Sequence, residues 1–93
     1  MSLIASKIKM KPGCYNSDEL LEIDEIYIDG SNGGWYKKAT IHDHLIKYPK
    51  SITVKNEYGP YVIPATSSNG EKYVKSAPNS TTRDNLLYLP REE

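Results

Sequence analysis

His42-Asp43-His44 is the densest group of chemistry-bearing side chains in the sequence. On a strand, two histidines at this spacing share a face and can act as metal ligands or as an acid–base pair. On a helix they diverge by about 200°, too far to share a metal as an i, i+4 pair does. The surrounding apolar spacing is helical and no third ligand lies nearby, so solvated helix residues without metal are expected. Gly30-Ser31-Asn32-Gly33-Gly34 has enough glycine to cradle a phosphate. It lacks both the dinucleotide spacing and a P-loop lysine with serine or threonine, and a tight turn is expected instead. Cys14 has Lys11 as its basic neighbour in sequence and no histidine close by, whereas a nucleophile needs an activated thiolate. Asp84, either histidine and a serine make a triad only on paper, because nothing in the spacing supports its geometry. No catalytic residue, cofactor or metal is expected, and the chain reads as a non-enzyme.

A second pattern interleaves aromatic and basic side chains: Trp35, Tyr36, Lys37 and Lys38, then Lys72, Tyr73 and Lys75. Such pairs can stack bases and neutralise phosphates on a sheet face. They also describe an ordinary half-exposed strand whose lysines keep it soluble and its edge unpaired. These seven residues are the candidate binding surface. Twelve Lys and Arg balance twelve Asp and Glu, so the basic excess that favours phosphate binding is missing. A protein partner is therefore expected ahead of nucleic acid, with small-ligand or nucleotide binding as a further alternative.

The elements that must position these residues follow from periodicity. Ile4, Ser6, Ile8 and Met10 alternate with Ala5, Lys7, Lys9 and Lys11, a strand with one buried face and one lysine face. Residues 18–29 carry six acids and no base, and their apolar residues change phase between Leu21/Ile23 and Ile26/Ile28. A β-bulge reconciles the halves; a short helix capped by Asn16 and Glu19 is the open alternative for residues 18–27. A strand over 22–29 is favoured because Ile-Tyr-Ile runs into Asp29-Gly30. Pairing with the first strand would set lysines opposite carboxylates. Thr40 reads as an N-cap, with Ile41, Leu45 and Tyr48 as the apolar stripe of a short helix that Pro49 ends. A helix this short must dock on a sheet to persist.

Ile52 and Val54 mark the next strand, residues 57–59 a turn, and Tyr61-Val62-Ile63 another strand. Pro64 lies at that strand's end or at a sheet edge. Asn69-Gly70 signals a hairpin into Lys72–Ser76. The order β-β-α-β-β-β predicts an α+β fold: a mainly antiparallel sheet of about five strands with one short helix on one face. A C-terminal leucine-rich tail should fold back on it. After a polar excursion over residues 78–83, residues 84–90 should form a turn or short 3₁₀ segment. Leu86 and Leu89 then cover apolar surface while Arg91, Glu92 and Glu93 stay in water.

The 93 residues fit one domain, 1–93, with a stability on the order of 5–9 kcal/mol. The single cysteine excludes an intrachain disulfide and suits a cytoplasmic setting. No run reaches the roughly 18 apolar residues of a membrane span, and a signal-peptide core is not evident. Asn79-Ser80-Thr81 matches a glycosylation sequon that matters only in a secreted chain. Met1-Ser2-Leu3 carries no functional weight.

Lys72-Tyr73-Val74-Lys75-Ser76, followed by Asp84-Asn85-Leu86-Leu87-Tyr88-Leu89-Pro90, resembles the ending of the small bacterial domains of unknown function numbered 3892. The Ile-rich first strand, the glycine turn before Trp35 and a helix near residues 41–46 resemble the same family more loosely. Asp84 stands where that family usually has asparagine, and the spacer over residues 77–83 is longer. The resemblance implies a small cytosolic bacterial or phage protein and brings no reaction or ligand with it. The functional expectation is a non-enzymatic binding or accessory module acting through protein–protein contact, itself a monomer or weak homo-oligomer.

Overall fold

A computed structural model describes residues 3–30, 33–56, 58–77 and 85–92. The expected turn residues Ser31, Asn32 and Glu57, the excursion over 78–83, the sequon, and Asp84 lie outside these. The elements are β1 (Leu3–Met10), a 3₁₀ turn (Leu20–Glu22), β2 (Ile23–Asp29), β3 (Gly34–Lys37), α1 (Lys38–Lys47), β4 (Ile52–Val54), β5 (Val62–Thr66) and β6 (Lys72–Ser76). A second 3₁₀ turn (Asn85–Tyr88) and β7 (Arg91–Glu92) complete the chain. The fold is α+β. Strands β3-β2-β1-β4 form a sheet to which β7 adds by pairing with β1, and β5 and β6 form a separate hairpin.

The sheet is built around β1. Antiparallel β2 takes one of its edges, and β4 and β7 divide the other, both running parallel to β1. The two parallel pairs and the strands β3 and β7 go beyond the five-strand expectation. The bulge needed to reconcile β2 is present: Lys9 pairs with Glu25 and Met10 with Ile23, leaving Asp24 as the extra residue. A second bulge was not legible. Ala5 pairs with Ile28 and Lys7 with Tyr27, so Ser6 is extra in β1 and the face changes there. Ala5 is consequently buried while Ile4 is only half-buried, the reverse of a strict alternation. Residues 18–27 are mainly strand, entered through the 3₁₀ turn. Glu19 stands before that turn without a side-chain cap, and its N–H donates to Ser17 Oγ at 3.0 Å.

Helix α1 begins two residues before the expected Thr40 cap, directly out of β3, with Lys37 at the N-cap position and no side-chain cap. Its buried stripe is Lys38, Ile41, His42 and Leu45. That is the i, i+3, i+4, i+7 pattern, shifted to include two polar residues. Tyr48 falls outside it, 52% exposed, because the helix stops at Lys47 ahead of Pro49. His42 is thus buried rather than solvated, at 8% exposure. The helix packs on the β5–β6 hairpin and against β2 and β3.

The hairpin continues through Pro64, which pairs with Val74. A two-stranded sheet has only edge strands, where a missing N–H costs little. Its turn is closed by Ser67, whose N–H donates to Glu71 O at 2.9 Å and whose Oγ accepts from Asn69 and Glu71. Gly70 sits there at φ +84°, where glycine is favoured. In the β4–β5 connection, a Cβ on Gly59 would lie 1.9 Å from the Val54 carbonyl oxygen, so only glycine fits.

The C-terminal turn closes the core as expected. Leu86, Leu87 and Leu89 are buried, Leu86 completely, and Tyr88 is 57% exposed. Arg91 and Glu92 do not simply stay in water. The pairing of β7 with β1 begins with Ile8 N–H donating to Pro90 O at 2.9 Å. The Arg91 guanidinium donates to the carbonyls of Tyr15, Ser17 and Leu87 at 2.8, 2.8 and 3.1 Å. No helix among the described residues is long and apolar enough to cross a membrane.

Candidate functional site

The outer face of the five-stranded sheet collects cationic and aromatic side chains into two rows. Residues directly opposite in a ladder share a face, so the pairing register alone defines them. One row runs Lys7–Tyr27–Trp35 over β1, β2 and β3. The other runs Glu92–Lys9–Glu25–Lys37 over β7, β1, β2 and β3. Tyr27 and Trp35 meet edge to face, with centroids 5.5 Å apart and planes at 78°, the geometry ring quadrupoles prefer. Lys7 Nζ lies 5.4 Å from the Tyr27 centroid and Lys9 Nζ 4.7 Å from that of Trp35. Lys37 pairs with Asp24 and Glu25 at 3.4 and 3.6 Å, and Lys7 with Glu92 at 3.7 Å. The result is an edge-to-face aromatic pair flanked by charges of alternating sign.

The seven residues singled out in the sequence do not converge. Trp35 and Lys37 stand on this outer face. Tyr36, between them, points inward and packs against the core. Lys38 has left the surface: it is 8% exposed, and its ammonium donates to Leu21 O and to Glu71. Lys72, Tyr73 and Lys75 belong to the hairpin, a different sheet. Lys72 pairs with Asp43 of α1 at 2.9 Å, and Tyr73 and Lys75 alternate with buried Val74 and Ser76. Lys7 and Lys9 were legible as a lysine face, and their carboxylate neighbours as cross-strand pairs. Tyr27 and Glu92 were not, since the first requires the register and the second requires β7.

A separate polar cluster sits where the first 3₁₀ turn, the start of α1 and the hairpin turn meet. Glu71 accepts from Lys38 and, at 3.1 Å, from Lys11. These bonds, Lys38's first, hold the Glu71 carboxyl below its ordinary range, and the Glu71 bond raises Lys11. Glu22 accepts from Cys14 Sγ at 2.8 Å and Ser17 Oγ at 3.0 Å. The Cys14 bond lowers Glu22 most, and the same bond pushes the thiol up. A thiol kept protonated by a carboxylate is the opposite of an activated nucleophile. On α1, His42 Nδ1 lies 3.2 Å from Asp43 Oδ1. Asp43 is held low by Lys72 first and then His42. Among the described residues no three metal-ligating side chains come together.

Structurally, then, this is a small α+β domain in which a mixed sheet is closed on its inner side by a helix, a hairpin and a leucine turn. The family model described as Protein of unknown function (DUF3892) matches residues 7–90, and the chain belongs to that family. No curated protein and no solved structure matches it significantly.

Proposed function

We propose that this protein is a non-enzymatic protein-binding module that works through the outer face of its five-stranded sheet. The observation that carries the reading is the row Glu92–Lys9–Glu25–Lys37 beside the Tyr27–Trp35 pair. Phosphate binding draws its affinity from cations that displace counterions. On this face Lys7, Lys9 and Lys37 already stack on rings or pair with carboxylates, which disfavours nucleic acid. A rigid aromatic pair rimmed by both signs of charge suits a protein surface, where tryptophan and tyrosine dominate the binding energy. We infer a cytoplasmic setting from the unpaired Cys14, and a bacterial or phage origin from the family resemblance.

The row also supports a second copy of this chain as the partner. A twofold axis between two copies of the face, parallel to the strands, reverses the row. Glu92 then meets Lys37, Lys9 meets Glu25, and in the other row Lys7 meets Tyr27. The face is complementary to itself, as an isologous contact requires. Sedimentation from micromolar to millimolar concentration tests this. Wild type should associate weakly and salt-sensitively, whereas Lys9→Glu and Glu25→Lys should each remain monomeric. Mixing the two variants should restore association, because each new charge then faces its opposite. A wild type that stays monomeric throughout, or a mixture that does not associate, overturns the proposal.

A further inference from the structure

We propose that Arg91 is a positioning residue for self-association: it clamps the last strand to the body of the domain and so holds Glu92 at the end of the charged row. This deepens the reading of the outer face as a self-complementary docking surface and rests on it.

Strand β7 is two residues long, and the pleat sends its two side chains to opposite faces. Arg91 stands opposite Ile8, which is fully buried, and its own side chain is 14% exposed. Glu92 stands opposite Lys9 on the outer face, half in solvent, with its carboxylate 3.7 Å from Lys7 Nζ. A strand this short offers few ladder bonds, so the guanidinium is the clamp. One of its nitrogens donates to Tyr15 O and Ser17 O, both at 2.8 Å, and the other to Leu87 O at 3.1 Å. The Asp18 carboxylate lies 3.7 Å away, and the Tyr15 hydroxyl donates back to Arg91 O at 3.2 Å. Carbonyls from the loop before the first 3₁₀ turn and from the leucine turn thus converge on one planar cation. Its donors form a fixed fork, which a lysine ammonium does not reproduce. On the proposed twofold, Glu92 of each copy meets Lys37 of the other, so this contact occurs at both ends of the row. Without Glu92 the reversed row has no carboxylate to set against Lys37.

A double-mutant cycle separates this role from a merely structural one. Dimerisation is measured by sedimentation for wild type, Glu92→Gln, Arg91→Lys and the double variant. Exchange of the Ile8 amide, which donates to Pro90 O, reports whether β7 is docked. Glu92→Gln should weaken dimerisation about fivefold, the value of two exposed ion pairs, with the Ile8 amide still protected. Arg91→Lys should lose that protection and weaken dimerisation by the same factor. The double variant should be no weaker than Arg91→Lys alone, because both residues act through one contact. Effects that multiply, an Ile8 amide still protected in Arg91→Lys, or wild-type dimerisation in that variant would each overturn the positioning role. Glu92→Gln lies outside the clamp, and its dimerising like wild type would overturn the role even if Arg91→Lys failed to fold. In all of these outcomes wild type associates and the docking surface stands; a monomeric wild type would remove both.

Discussion

Lys37 and Lys38 are neighbours in the chain and live on opposite sides of the sheet. Lys37 reaches across the outer face to Asp24 and Glu25, in solvent and within its own row. Lys38 turns inward with the first turn of α1 and bonds Glu71, thirty-three residues away on the hairpin turn, and Leu21 O. The outer face is thus a set of local answers between adjacent strands, each screened and individually worth little. The inner side is joined by contacts between segments far apart in sequence, where apolar burial dominates and each missing member leaves a hole or a stranded charge. Substitutions on the inner side should therefore cost stability, and substitutions on the outer face should change association alone.

The largest effect should come from the leucine turn. Leu86 is fully buried in the cluster formed by the sheet, α1 and the hairpin, so Leu86→Ala should cost about 2–5 kcal/mol. Urea unfolding measures it, and a loss near zero would remove the turn from the core. Tyr88→Ala, on the exposed side of the same turn, should cost far less. Next comes the corner: Glu71→Gln removes the carboxylate charge that faces the buried Lys38 ammonium and should lower the melting temperature by several degrees, more than Lys37→Glu does. If the two variants melt alike, the distinction between the sides fails.

Acid should act on the same corner. Glu71, Glu22 and Asp43 all have carboxyls held below their ordinary range. Such groups add stability that is complete above the unfolded carboxylate values, about pH 4–4.5, and is lost as pH falls through the lower folded ones. The melting temperature should therefore drop below about pH 4, and less steeply in Glu71→Gln than in wild type. Cys14 works in the other direction. Its raised pKa gives a contribution that is complete below the unfolded thiol value and fades as pH rises through the folded one. Cys14→Ser should accordingly lose less stability than wild type above about pH 9.

The smallest effect belongs to the outer face. Lys9→Glu should change unfolding free energy by no more than about 0.5 kcal/mol, while abolishing self-association. Should wild type instead bind mixed oligonucleotides tightly and salt-dependently, with the binding lost in Lys9→Glu/Lys37→Glu, the outer face would be a phosphate-binding surface and the comparison would have to be redrawn.

The sequence by itself determined the elements whose signals are local in the chain. The lysine face of β1, the Asn69-Gly70 hairpin, the bulge in β2 and the 3₁₀ leucine turn all rest on local spacing, turn chemistry and the demand for core volume. These act within a few residues, so they can be read within a few residues. Tertiary structure decided the rest. The Ser6 bulge lies in the pairing of β1 with β2, and it turns Ala5 rather than Ile4 toward the core. Lys38 and His42 are buried because a helix that starts directly after β3 packs on the hairpin, and its stripe moves with it. The pleat of β3 separates Trp35 from Tyr36, and strand pairing joins Lys7, Tyr27 and Glu92 to Trp35 and Lys37. A face is a property of neighbouring strands, and which strands are neighbours depends on where burial of the whole chain is most complete.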